Sequence, residues 1–103
     1  MSAFIRAVIS GAISGDNELV AAVADKCIQV LSMEFTTAGA VTIRFESGAG
    51  GTALCGVQSI AANGDKTLPH NPLGWYCTAR GESLNMELGG AVQVSGSLIY
   101  ELI

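Results

Sequence analysis

The sequence predicts an all-β chain, a single antiparallel β-sandwich of jelly-roll type with eight or nine short strands spanning residues 1–103. Three observations point there. Apolar and polar residues alternate in several windows, and clusters of Gly, Asn, Asp and Ser separate those windows. Charged residues make up only 14% of the chain, too few for a typical helical surface.

"AFIRAVI" (3–9) reads as the first strand, although its alternation is not clean. "ELVAAV" (18–23) reads as the second. Its Ala and Leu also suit a helical turn over 18–26, and the β context on both sides favours the strand. "KCIQVLSMEFTT" (26–37) is longer and slips phase. Ile28 and Val30 share one parity while Leu31, Met33 and Phe35 share the other, which predicts a bulge near Val30–Leu31.

In "AVTIRFES" (40–47), Val41, Ile43 and Phe45 oppose Thr42, Arg44 and Glu46. "TALCGVQSI" (52–60) is a weaker strand and "WYCTA" (75–79) a short one. In "ESLNMEL" (82–88), Leu84, Met86 and Leu88 oppose Ser83, Asn85 and Glu87. The final run, 91–103, keeps Val92, Val94, Leu98, Tyr100 and Leu102 in phase across Gly96. Turn signals fall at 14–17, 38–40, 47–51, 63–65, 80–82 and 89–90, and "LGGA" (88–91) predicts a two-residue hairpin.

A chain of 103 residues is expected to form one domain, because a second would be too small to bury a core. The five cations, Arg6, Lys26, Arg44, Lys66 and Arg80, are scattered, and the net charge is −4. No patch could displace counterions from phosphates, so nucleic acid is not an expected partner. Neither is a membrane: no apolar run is long enough, and the N-terminus lacks the apolar centre of a secretion signal. The expectation is a soluble chain made in a cytoplasm. Cys27, Cys55 and Cys77 are odd in number and widely spaced, which suits reduced thiols acting as small hydrophobes.

The densest chemistry lies in "LPHNPLGWYCTARGE" (68–82), which holds the single histidine, the single tryptophan and both prolines. A catalytic His70 would need an orienting acid and a nucleophile, and the local sequence supplies neither. Asp16, Asp25 and Asp65 sit in separate turns without calcium-loop spacing, although a calcium site assembled from distant turns stays open. "GAGGT" (48–52) lacks the Lys of a phosphate loop. Glu34, Glu46, Glu87 and Glu101 take outward strand phases, where they would keep a face soluble and guard edges. No enzyme activity, cofactor or metal site is therefore assigned. Trp75 and Tyr76 are strand neighbours, so either one faces the core and the other faces solvent or a partner, or a folded-back 68–74 loop buries both. Together with His70 and the outward-phased Ile99 they form the candidate interface.

From about Gly15 to the end, the order "SGDNELVAAVADKCIQVLSMEFTTAGAVTIRFESG" followed by "LPHNPLGWYCTARGESLNMELGGAVQVSGSLIYELI" resembles small structural proteins of tailed bacteriophages. The resemblance rests on a strand opened by a short basic turn, the "VTIRFESG" hairpin, the N-P-x-G-W-aromatic segment and the closing "VSGSLIY" strand. It implies a virion β-sandwich, first a capsid decoration (cement) protein on the capsid surface. Such a protein would assemble as a homo-oligomer, trimer or dimer, and clamp the major capsid protein lattice. The alternative it implies is a tail or fibre module binding host glycans. No functional residue carries over, because the pattern defines none.

Overall fold

The computed structural model describes residues 3–103. These residues form no helix and ten strands: β1 (Ile5–Gly11), β2 (Gly15–Val20), β3 (Ile28–Thr37), β4 (Val41–Ser47), β5 (Thr52–Ala53), β6 (Gln58–Ile60), β7 (Asp65–Leu68), β8 (Tyr76–Cys77), β9 (Leu84–Leu88) and β10 (Val94–Leu102). Every strand pairing is antiparallel. One sheet runs β1-β10-β3-β7, with β8 also on β3; the other runs β2-β9-β4-β5, with β6 also on β4.

The pairings are nested. β1 pairs with β10, β2 with β9, β3 with β7 and β8, and β4 with β5 and β6. One long antiparallel hairpin has been rolled so that successive rungs land alternately in the two sheets. That is the jelly-roll topology.

The core lies between the sheets. Ile9, Val30, Met33, Phe35, Val94 and Leu98 face inward from the first sheet. Ile43, Phe45, Leu84, Met86 and Leu88 meet them from the second. The Phe35 and Phe45 rings lie 6.2 Å apart at a 59° tilt, the edge-towards-face arrangement that aromatic quadrupoles favour. Gly96 lies opposite Phe35 on β10. A Cβ there would run into the Glu34 carbonyl oxygen, so the close approach of β10 to β3 requires glycine.

The predicted bulge is present. Ile99 pairs with Ser32 and Tyr100 with Val30, leaving Leu31 as the extra residue. Leu31 is buried but is not part of the core cluster. It is covered on the outer side instead, where the 69–75 segment bonds to its backbone.

Several expectations are corrected. "LGGA" is no hairpin, because β9 and β10 lie in different sheets and residues 89–93 cross the end of the sandwich. Gly89 N donates to Thr42 O on the way. The 52–60 strand is two short strands, β5 and β6, both laid on β4. The 18–26 region is strand to Val20 and then turns, with Asp25 in the left-handed region at φ 64°. Asp65 ends a turn signal and residues 66–67 carry no assignment, yet "DKTL" (65–68) is β7.

Buried polar side chains at the strand ends hold the crossings. Asn17 Nδ2 donates to Ile13 O at 2.8 Å, and Thr37 Oγ1 to Ala61 O at 2.9 Å. Ser47 Oγ accepts from Ala79 N at 2.8 Å and donates to Glu82 Oε1 at 2.5 Å. Each removes the penalty of an unpaired buried group.

Candidate functional site

The proline-bracketed segment rides along the edge of β3. Asn71 N donates to Leu31 O, Trp75 N to Val30 O, Thr78 N to Ile28 O and Gly81 N to Lys26 O. The Leu31 bulge offers two successive carbonyls to this segment, and residues 72–74 loop outward between them. Gly74 takes φ 84° to close that loop, and a Cβ on it would lie 2.5 Å from Gln29 Nε2.

This path separates the two neighbouring aromatics. Tyr76 turns inward, half-buried, and its ring stacks on Phe45 at 5.3 Å and 27°. Burial of the phenol raises its pKa. Trp75 turns outward and stays 40% exposed, with its Nε1 donating to Pro69 O at 2.8 Å. The indole thus braces the loop and leaves a ring face to solvent.

His70 is exposed, its ring 5.7 Å from that of Phe4, just ahead of β1. Ile99 is half-buried and lines a shallow groove with Pro69, Ser32 and Ser97. His70, Trp75 and Ile99 therefore share the outer face of the first sheet, whereas Tyr76 belongs to the packing beneath it. The same face carries three apolar residues outside the candidate set: Phe4, Val8 and Leu73, at 64%, 72% and 85% exposure. The signal for Val8 was its outward parity beside the buried Ile9, obscured because 3–9 alternates poorly.

The outer face of the second sheet is different. Asp16, Glu87 and Arg44 form one cross-strand row over β2, β9 and β4. Arg44 Nη2 lies 2.7 Å from Glu46 Oε2 and 3.3 Å from Glu87 Oε1. Glu46 has the outward phase expected of it, but it is fully buried rather than solvated. Nearby, the β4–β5 loop reaches β2, where Gly50 N donates to Asp16 Oδ2 at 2.6 Å. Burial pushes the Glu46 carboxyl above its usual value, and the adjoining Asp16 carboxyl adds to this, while the Arg44 hydrogen bond pulls it back. Among the described residues, Asp16, Glu46 and Glu87 form a group of carboxylates that could hold a metal ion. Asp25 and Asp65 are not part of this group.

Of the cysteines, Cys27 and Cys55 are half-buried, and Cys77 is exposed rather than buried. Partial burial, and then the neighbouring Cys27 thiol, raise the pKa of Cys77, which lowers its nucleophilic fraction. No helix among the described residues is long and apolar enough to cross a membrane. Comparison with protein-family models, curated proteins and solved structures finds no match for this chain.

Proposed function

We propose that this chain is a structural protein of a tailed-phage virion, a capsid decoration protein that binds the major capsid protein lattice and stabilises the assembled head. The carrying observation is the outer face of the first sheet. Val8 is held there in water by β1 and Leu73 and Trp75 by a hydrogen-bonded loop, with Phe4 exposed just ahead of β1. Exposed apolar groups on a rigid frame gain area on docking with little loss of conformational entropy. Small Ser side chains between them (Ser32, Ser95, Ser97) let a flat partner surface approach closely. The resemblance of the sequence to phage structural proteins and the jelly-roll topology support the same reading. A lattice of identical sites would multiply a modest affinity per copy, and a homo-oligomer would multiply it again.

The test is co-sedimentation of the purified chain with phage heads lacking decoration protein. Binding to assembled heads but not to isolated capsid subunits is the expected result. Chain remaining in the supernatant at micromolar concentration would overturn the reading.

Trp75 favours a second reading, a tail or fibre module that binds host glycans. Its exposed ring has its polar atom already committed to Pro69, which suits stacking on a sugar ring. Glycan-array signal lost on Trp75→Ala with the fold retained would select this reading; a blank array removes it.

A further inference from the structure

Asp16, Glu46 and Glu87 are far apart in the chain, yet one oxygen of each lies within 4.8 Å of the others. Arg44 offsets part of their charge, through Glu46 Oε2 and Glu87 Oε1. Glu46 Oε1 is left buried with no hydrogen-bond partner. Clustered carboxylates repel one another unless a cation lies among them, and a buried oxygen without a partner is costly.

We propose that this cluster is a calcium site, with Asp16, Glu46 and Glu87 as the protein ligands. An all-oxygen, all-carboxylate set selects a hard cation over zinc or copper. Calcium–oxygen bonds of about 2.4 Å allow ligand oxygens up to about 4.8 Å apart to share one ion, and these three lie within that limit. Magnesium needs a tighter octahedron. Gly50 N, bound to Asp16 Oδ2, orients that carboxylate from outside the site, as outer hydrogen bonds do for metal ligands. The Arg44 side chain is 30% exposed, so it can swing to solvent as the ion takes its place. The ion would then tie β2, β9, β4 and the 48–51 loop together. Water fills the remaining positions. This site lies on the sheet opposite the proposed docking face and does not depend on that proposal.

Titration calorimetry with calcium chloride on the full chain tests it, with circular dichroism confirming that each variant is folded. The expected result is one ion per chain with a dissociation constant of about 10⁻⁴–10⁻³ M. Asp16→Asn should weaken binding at least about tenfold. Glu87→Gln, at a half-buried position, serves as the second variant should Asp16→Asn fail to fold. Arg44→Gln removes the competing guanidinium and should tighten binding several-fold, which a purely structural ion pair would not do. Absence of calcium binding in both the parent chain and Arg44→Gln would overturn the proposal. So would calcium affinity unchanged by the ligand substitutions, or tighter binding of magnesium than of calcium.

Discussion

Both outer faces of the sandwich are made by the same rule, alternate residues of antiparallel strands, and they end in opposite chemistry. The first sheet presents Val8, Ile99, Phe4 and the Trp75 loop among small serines. The second gathers three carboxylates near Arg44, with a glycine loop bonded to one of them, Asp16. Each face has been modified by one irregular segment: the 69–75 loop seated on the Leu31 bulge, and the 48–51 loop reaching Asp16. The difference teaches that period-two alternation assigns a residue to a face but says nothing about what covers that face. Coverage comes from segments that have no period.

The largest perturbation strikes both faces at once. Phe45 sits on the second sheet but supports Tyr76, and through it the segment that carries Trp75. Phe45→Ala should cost about 3–5 kcal/mol in urea unfolding, from lost burial plus the cavity left behind. Amide exchange should also quicken in 71–77, well away from the substitution in sequence. Quickening confined to β4 would separate the faces more completely than the contacts allow.

Trp75→Ala isolates the first face. Losing a partly exposed indole and its bond to Pro69 should cost about 1–2 kcal/mol, read from the same unfolding curves. Binding to heads should fall as well, whereas calcium affinity on the far sheet should stay unchanged.

Glu46→Gln isolates the second face. Because the folded-state pKa of Glu46 is raised, the folded chain holds this proton more tightly than the unfolded chain does. That contribution is complete below the ordinary value of 4.5 and is lost as pH rises through the raised value. Calcium-free stability measured by chemical denaturation should therefore show a decline with rising pH in this window, and the Gln variant should flatten it. The smallest effect is expected at His70. Its ring is exposed and its contact with Phe4 is peripheral, so His70→Ala should shift stability by no more than about 0.5 kcal/mol while weakening head binding.

Much of the fold was legible because it is local. The alternation of 41–46 and 84–88 appears directly as β4 and β9, and the double parity around Val30–Leu31 foretold the bulge. The "LGGA" error has a physical origin, since glycine permits a hairpin and a crossing between sheets equally well. Only the partner strands tell them apart, and these are distant in sequence. β7 escaped notice because "DKTL" carries one apolar residue, and its place depends on pairing with β3. On the first face, alternation left two readings of Trp75 and Tyr76 open, and the loop bonds of Trp75 to Val30 and Pro69 decide between them. The carboxylate cluster did not, because residues 16, 46 and 87 meet only after the roll closes.

Hydrogen exchange on the chain bound to phage heads, compared with the free chain, tests the central claim most directly. The account expects slowed exchange in β1 and the 69–75 loop, with the strands of the second sheet unchanged. Protection centred on β2, β9 and β4 instead, or no protection anywhere, would contradict it.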